Sequence, residues 1–287
     1  MKIALLISGG LGLKVFDFLK TRVTISAILT DGNSEAIISQ AGKENISCFV
    51  GKPRKGKAQN FIADKEIDLL LSINYLFLIE KDLIAWPKRA AVNFHGSLLP
   101  KYRGRTPHIW AIINNEDKTG ITCHFISEGC DEGDIILQEE VSIAPNDTGA
   151  MLLGKFYERY PSLVTKVIEL IQKGEVKASK QDEELATFFG KRKPEDGAIN
   201  WNWQKERIRN WVRAQAHPYP GAFTHMLGKK VIIDEVAFDN YGYRDEYPNG
   251  LILSINPVRV KTPNGVVRLT TIREGNEHLR LESILKS

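Results

Sequence analysis

The sequence predicts an α/β protein with a Rossmann-like parallel sheet followed by a small OB-like β-barrel. Over the first half of the 287 residues, short apolar runs alternate with amphipathic segments. This alternation is typical of a parallel sheet that is covered by helices on both faces. Residues 175–200 are polar and include the segment KRKPEDG. Beyond them, apolar and polar residues alternate in several short segments, which predicts the antiparallel strands of a small barrel.

The first domain is expected to begin with five strands and three intervening helices. The strands are predicted at residues 2–8, 23–29, 47–50, 68–73 and 90–94. The helices are predicted at residues 12–20, 35–43 and 57–65. The opening MKIALLIS has the lysine and the apolar run of a signal peptide, but it lacks a small-residue cleavage site and leads into an amphipathic segment. We therefore interpret it as a first buried strand.

The chain then continues with a helix, two strands and a long helix. The first helix is predicted at residues 106–114, with Pro107 in the first turn, where proline is favoured. The two strands are predicted at residues 120–126 and 134–143. Residues 146–174 repeat apolar side chains at helical spacing, and Pro161 is expected to break or kink that helix.

A domain boundary is predicted near residue 195. It divides the chain into a first domain at 1–194 and a second at 195–287, with a linker near 175–200. The second domain is expected to open with a helix at residues 205–216, before the short strands of the barrel.

Composition and charge exclude several classes of protein. The hydrophobic share of 43% and the charged share of 26% are those of a globular protein. No apolar run approaches the roughly 20 residues of a membrane helix, so we expect a cytoplasmic protein that does not bind membranes. Three irregularly spaced cysteines predict neither a disulfide framework nor a metal site. The net charge is +4, which suits an anionic substrate but falls short of a nucleic-acid footprint.

The segment SGGLG at residues 8–12 raises the question of a dinucleotide site. It follows the first predicted strand, and Asp31 stands about where a ribose-binding acid would lie. Val15, however, occupies the position where the pattern requires a third small residue. A simple glycine turn between strand and helix is therefore the favoured interpretation.

Two polar loops after predicted strands carry the candidate chemistry. Asn93 and His95 are two residues apart, so their side chains should point to the same side of a strand while Phe94 points into the core. The loop SEGCDEGD supplies two aspartates, Asp131 and Asp134. A carboxylate raises the pKa of a neighbouring imidazole, and an Asn amide can stabilise an oxyanion. Together these groups suit acyl transfer to an amine.

These same segments resemble a known family. NFHGSLLPKYRGRTP (93–107), followed by CDEGDII (130–136), is similar to the signature of the folate-dependent formyltransferases. That family includes methionyl-tRNA formyltransferase, glycinamide ribonucleotide formyltransferase and the nucleotide-sugar N-formyltransferases. KPEDGAINW (193–201) and VRAQAHPYPGAF (212–223) resemble, more loosely, its linker and the beginning of its second domain.

The resemblance implies a donor and a set of roles. The donor would be 10-formyltetrahydrofolate, a co-substrate. Asn93 would hold the oxyanion, His95 would be the acid and base, and Asp131 would tune His95. The residues implied to bind the donor are Phe77, Leu78, Ile79, Arg105, Ser127, Glu128, Gly129 and Cys130. Without the resemblance, Phe77–Ile79 would be interpreted as ordinary core packing.

The acceptor is left open between three hypotheses. The favoured one is an amino sugar linked to a nucleotide, because KYRGR places charged and aromatic groups beside the site, where they suit a pyrophosphate and a flat ring. The residues predicted to bind this substrate are Ser97, Lys101, Tyr102 and Arg103. The alternative is methionyl-tRNA, but no basic insertion follows the second strand, and KPRKGK (52–57) is more typical of a solvated surface. The third is a non-catalytic folate- or nucleotide-binding module, disfavoured because all three catalytic positions are filled. The barrel could steady the acceptor or form a homodimer.

Overall fold

The computed structural model describes all 287 residues, Met1–Ser287, and they form two compact units. The first unit comprises Met1–Gly104, Gly120–Val141 and Lys155–Phe189. The second comprises Arg105–Thr119, Ser142–Gly154 and Gly190–Ser287. Two segments from the first part of the chain, Arg105–Thr119 and Ser142–Gly154, group with the second unit. No single residue therefore separates the two units, and the boundary near residue 195 stays a prediction. None of the helices combines the length and apolar character needed to cross a membrane.

A seven-stranded sheet forms the centre of the first unit. Its strands are β1 (Lys2–Ile7), β2 (Thr24–Thr30), β3 (Cys48–Val50), β4 (Leu69–Ile73), β5 (Ala90–His95), β7 (Lys118–Phe125) and β8 (Ile135–Ser142). Their spatial order is β3-β2-β1-β4-β5-β7-β8. Strands β1 to β5 pair in parallel, and β7 pairs antiparallel to β5. The predicted α/β class is confirmed, with an antiparallel strand beside β5.

Helices cover both faces of this sheet. They are α1 (Gly9–Leu19), α2 (Glu35–Lys43), α3 (Gln59–Ile62), α4 (Lys81–Ile84) and α6 (Gly149–Lys173). On one face, Leu70 of β4 belongs to a core cluster that includes Leu83 of α4 and Phe61 of α3. On the other face, the Phe94 ring of β5 lies 6.1 Å from the Tyr160 ring of α6. Side chains of β5 therefore alternate between two covered layers, as period-2 geometry requires.

Helix α6 runs without interruption through Pro161, so Pro161 does not break the helix, and the alternative of a kink stays a prediction. A proline in a helix interior costs about 3 kcal/mol. Phe156, Tyr160, Val164 and Val167 are buried along one side of α6. Each large apolar side chain contributes roughly 1.5–3 kcal/mol on burial, so packing on both sides of the proline outweighs the lost backbone hydrogen bond.

A short two-stranded pairing lies beyond α6 in the first unit. Strand β6 (Arg103–Gly104) pairs in parallel with β9 (Phe188–Phe189), and the Tyr102 ring stacks on the Phe189 ring at 5.0 Å. Gly104 has a φ of +100°, and a Cβ there would collide with the carbonyl oxygen of Phe189. This close approach fixes the stretch after α6 against the loop that follows β5.

The second unit contains two helices and an antiparallel sheet. The helices are α5 (Pro107–Ile113) and α7 (Lys205–Ala214). The strands are β10 (Ala222–Met226), β11 (Lys229–Asp239), β12 (Ile252–Ile255), β13 (Val258–Thr262) and β14 (Gly265–Glu274), in the order β10-β11-β14-β13-β12. Lys286 bridges to His225 of the edge strand β10, and Ile284 bridges to Leu251 beside the opposite edge. The last residues thus close the sheet between its two edges, and the predicted small barrel is confirmed.

Candidate active site

Asn93 and His95 lie at the carboxyl end of β5, the edge at which ligands bind in open parallel sheets. Both side chains project from the face opposite to Phe94, whose ring lies against Tyr160 of α6. This agrees with the orientation expected from their spacing of two residues. Strand β7 runs antiparallel to β5, so the loop that follows β7 begins beside Ala91 and returns along β5 to reach both side chains.

Asp131 is the carboxylate that this loop brings to Asn93 and His95. Its Oδ2 lies 3.6 Å from His95 Nδ1, and its Oδ1 accepts a hydrogen bond from Asn93 Nδ2 at 3.4 Å. The Gly104 backbone N–H donates to Oδ2 at 2.9 Å. Asp131 adopts a φ of +59°, in the left-handed region, which Asp tolerates better than most residues. The structure thus brings the three predicted residues together, and their catalytic roles stay a proposal.

The hydrogen bonds of His95 decide which of its nitrogens exchanges a proton. Nε2 lies 2.7 Å from the carbonyl oxygen of Tyr102. A carbonyl can only accept, so Nε2 carries a hydrogen in both protonation states. Nδ1, which faces Asp131, is therefore the atom that gains or loses the proton. Burial lowers the pKa of His95 below its ordinary value of 6.5, while Asp131 and the Tyr102 carbonyl oppose that change. His95 is thus a neutral base near pH 7.

The Asp131 carboxylate is ionised in this setting. Burial by itself raises the pKa of Asp131. The neighbouring imidazole of His95 and the donated Gly104 N–H outweigh burial and hold the pKa of Asp131 well below its usual range. A fixed negative charge therefore faces His95 Nδ1, where it favours the imidazolium form.

His124 belongs to this cluster and was missed by sequence reasoning. It lies in β7 directly opposite Asn93, and it is almost fully buried. Its Nδ1 lies 2.8 Å from the Phe125 carbonyl oxygen and must donate, so its Nε2 can accept from Asn93 Nδ2 at 3.1 Å. One Asn93 amide hydrogen is thereby fixed, and the amide cannot flip. The pairing register of β5 with β7 would have placed His124 opposite Asn93, but the sequence pattern does not predict that register.

We expect His124→Phe to lower turnover by up to about 10²-fold, because the Asn93 amide loses the acceptor that orients it and an oxyanion donor is worth about that much. His124→Gln is the matched control, since its amide can still accept a hydrogen bond, and it should lose less. Steady-state formyl-transfer kinetics measure both variants, and thermal melts check their folding. Wild-type turnover in a folded His124→Phe protein would contradict a role in orienting Asn93.

The two segments predicted to bind the donor lie next to each other. Phe77 and Ile79 pack against the core cluster of the first unit, as does Ile126 directly after β7, while Leu78 is 54% exposed. An ion pair of 3.0 Å between Lys81 Nζ and Glu128 Oε1 links the two segments. Core packing thus accounts for the Phe77 and Ile79 side chains, and donor binding by this segment stays a prediction.

The loop after β7 offers polar groups to a ligand. Ser127 Oγ is buried and has no hydrogen-bond partner, although a buried hydroxyl is normally paired. This orphaned group fits a ligand that carries hydrogen-bonding atoms, such as a pterin. Cys130 is exposed, and its Sγ lies 3.5 Å from Asp131 Oδ2. Gly129 lies so close to Glu132 that a Cβ there would collide with the Glu132 carboxylate.

Arg105 is the first residue of the second unit, whereas the segments described above belong to the first. Its contact with the donor therefore stays a prediction.

Three of the four residues predicted to bind the acceptor are buried and form contacts within the protein. Ser97 is buried, and its Oγ donates to the Lys101 carbonyl oxygen at 2.7 Å. Tyr102 is buried under Phe189, and its carbonyl holds His95. Arg103 has no exposed surface, and its guanidinium pairs with Glu183. These side chains are thus bonded within the protein, and their contacts with the acceptor stay predictions. Lys101 is exposed, and its contact with the acceptor stays a prediction.

The turn SGGLG forms the junction of β1 and α1. The Gly9 N–H donates to Ser34 Oγ at 2.9 Å, and Ser34 Oγ donates to Asp31 Oδ2 at 2.6 Å. The Asp31 carboxylate also accepts from the Asn33 N–H. Asp31 is thus buried and bonded within its own loop, which agrees with a glycine turn rather than a ribose site.

Comparison with protein families identifies the chain. The model of the formyl transferase family matches residues 28–168, and that of the formyl transferase C-terminal domain matches residues 191–287. The protein belongs to the formyl transferase family and is an N-formyltransferase.

Several solved structures share the fold. WlaRD, a sugar 3N-formyl transferase solved with dTDP and 5-N-formyl-THF, is 21% identical with a TM-score of 0.69, over 96% of this chain and 98% of that one. The N-formyltransferase of Helicobacter canadensis, in complex with folinic acid and dTDP-3-aminofucose, is 19% identical with a TM-score of 0.70, over 94% and 98%. Methionyl-tRNA formyltransferase from Clostridium thermocellum is 18% identical with a TM-score of 0.58, over 96% and 100%.

Proposed function

We propose that the protein transfers a formyl group from 10-formyltetrahydrofolate to the amine of a nucleotide-linked amino sugar. The observation that carries the proposal is the convergence of Asn93, His95 and Asp131 at the carboxyl edge of the sheet. The folate donor is supported by family membership and by similar structures that hold 5-N-formyl-THF or folinic acid. The orphaned Ser127 hydroxyl offers that donor a hydrogen-bonding group.

The geometry suits direct transfer without a covalent enzyme intermediate. The neutral amine attacks the formyl carbon, and the new C–N bond forms while negative charge develops on the formyl oxygen. Asn93 Nδ2 keeps one hydrogen on His124 and turns the other, which it gives to Asp131 Oδ1 at 3.4 Å in the free protein, to that oxygen. His95 Nδ1 accepts the proton released by the amine, and Asp131 stabilises the resulting imidazolium. His95 returns the proton to the folate nitrogen as its bond to the formyl carbon breaks, which yields a formamide and tetrahydrofolate.

A small acceptor is favoured over tRNA by the scarcity of cations beside the sheet. Strand β2 ends at Thr30 and α2 begins at Glu35, so the connection is only four residues long and contains no Lys or Arg. In the basic segment 52–57, Arg54 pairs with Glu80 at 3.0 Å, which neutralises part of its charge. Binding of tRNA depends mainly on phosphate contacts and needs a larger basic surface. Two similar structures contain dTDP or a dTDP-amino sugar.

The acceptor is tested by formyl-transfer assays on the purified protein with 10-formyltetrahydrofolate. The acceptors to compare are UDP-, dTDP- and GDP-linked amino sugars and charged initiator methionyl-tRNA. We expect turnover with at least one nucleotide sugar and none with the tRNA, and the same nucleotides without an amino sugar serve as negative controls. Turnover of tRNA alone would overturn the sugar acceptor and leave the donor chemistry in place.

A further inference from the structure

Gln181, in the segment after α6, bonds directly to the backbone of the loop that carries Asp131. Its Nε2 donates to the Asp131 carbonyl oxygen at 2.7 Å and to the Gly133 carbonyl oxygen at 2.8 Å. Asp131 has left-handed backbone geometry, and a Cβ on Gly133 would collide with the Phe125 carbonyl oxygen. Such a tight and unfavourable turn persists only where its surroundings hold it. Both amide hydrogens of Gln181 are used for that purpose.

Arg103 fixes the orientation of the Gln181 amide. Its Nε and Nη2 donate to Gln181 Oε1 at 3.1 and 2.8 Å. A guanidinium only donates and the two loop carbonyls only accept, so a flipped amide would lose every one of these bonds. The remaining edge of the guanidinium pairs with both oxygens of Glu183, at 2.8 and 2.7 Å, which compensates the charge of a fully buried arginine.

The same stretch of chain also holds the loop that orients His95. Thr187 accepts from the Tyr102 N–H through its Oγ1 and from the Arg103 N–H through its carbonyl. The Tyr102 carbonyl in turn accepts from His95 Nε2. One segment, residues 181–189, therefore contacts both loops that place the proton-transfer pair.

We propose that Gln181 is a positioning residue for formyl transfer, and that it sets the distance between the Asp131 carboxylate and His95 Nδ1 through the backbone of the Asp131 loop. The distance between Asp131 Oδ2 and His95 Nδ1 is 3.6 Å, which is longer than a hydrogen bond. A small shift of the loop therefore changes how strongly the carboxylate stabilises the imidazolium. The other titratable group that faces His95 is His124, which opposes its protonation. The inference rests on the proposed function, because it takes His95 as the proton-transfer group.

The test variant is Gln181→Met, which keeps the length of the side chain and removes both donors. We expect turnover to fall about tenfold with the KM values unchanged, because misplacement of a catalytic group costs rate rather than binding. The pKa of His95, followed by NMR titration of isotope-labelled histidine, should move below its wild-type value, towards that of Asp131→Asn. Asp182→Ala is the matched control, since Asp182 caps the short helix of the same segment and should leave the His95 titration in place.

The double variant of Gln181→Met with Asp131→Asn separates positioning from a structural role. If Gln181 acts through Asp131, adding Gln181→Met to Asp131→Asn should not move the His95 titration further. Gln181→Asn, which keeps an amide but is too short to reach both carbonyls, supplies the same readout if the methionine variant does not fold. An unchanged His95 titration in a folded variant, or an equal shift in the Asp131→Asn background, would overturn the inference. Failure of formyl transfer by the wild-type protein would instead overturn the proposed function, because the NMR titration needs no substrate.

Discussion

Replacement of His95 by glutamine is expected to lower turnover by about 10²–10⁴-fold, the usual contribution of a positioned acid or base. Glutamine can still donate to the Tyr102 carbonyl oxygen, as His95 Nε2 does, so the loop after β5 keeps its hydrogen bond. It cannot take the proton that leaves the attacking amine. Single-turnover formyl transfer at saturating donor and acceptor measures the loss, and circular dichroism and thermal melts check that the fold is intact.

The pH profile of the wild-type protein gives this prediction a second readout. Burial lowers the pKa of His95 below 6.5, so the acid limb of kcat/KM should lie below pH 6.5 and should disappear in His95→Gln. His225→Gln, in strand β10 of the second unit, is a matched control that should keep both turnover and profile. Turnover near the wild-type value in folded His95→Gln would remove His95 from the chemistry.

Much of the site follows from local rules that act within a few residues. The shared direction of Asn93 and His95 depends only on the period of a strand, and the structure has it. That the loop after β7 reaches β5, in contrast, depends on the pairing of two strands about 30 residues apart. The loop contains two aspartates, Asp131 and Asp134, and the structure places Asp131 at His95. The left-handed backbone of Asp131, which directs its side chain inward, is not visible in the sequence.

The parts that sequence could not supply depend on contacts between distant segments. Gln181 is 50 residues from Asp131, and nothing in the polar stretch 175–200 distinguishes it from a solvated linker residue. The charged run KYRGR (101–105) is typical of an exposed segment. Arg103 is nevertheless buried, because Glu183 and Gln181 accept the hydrogen bonds of its guanidinium. A buried arginine requires partners of this kind, and their pairing is decided by tertiary structure rather than by local sequence. The acceptor side was therefore the least predictable part of the site.

Asp131→Asn is expected to lower turnover by about 10²-fold or more, because two effects act together. The negative charge that stabilises the His95 imidazolium is lost. The oxygen of the new amide must remain where it accepts the Gly104 N–H, so its NH₂ group takes the place of Oδ1, against the Asn93 NH₂ group. The same NH₂ group competes for His124 Nε2, and Asn93 loses its fixed orientation. Asp134→Asn, at the other aspartate of the loop, is the matched control and should keep wild-type turnover.

The sign of the pH effects separates the role of Asp131 from a general loss of structure. Asp131 raises the pKa of His95 against the effect of burial, so its removal should move the acid limb of kcat/KM to lower pH while the maximum falls. The pKa of Asp131 is itself lower in the folded protein than its ordinary value of 3.8. The stability that it contributes is therefore present above about pH 3.8 and is lost as the pH falls through its folded value. Asp131→Asn should therefore lose that part of the acid dependence of the melting temperature. If the acid limb of its kcat/KM profile moved to higher pH instead, the result would contradict the charge interaction with His95.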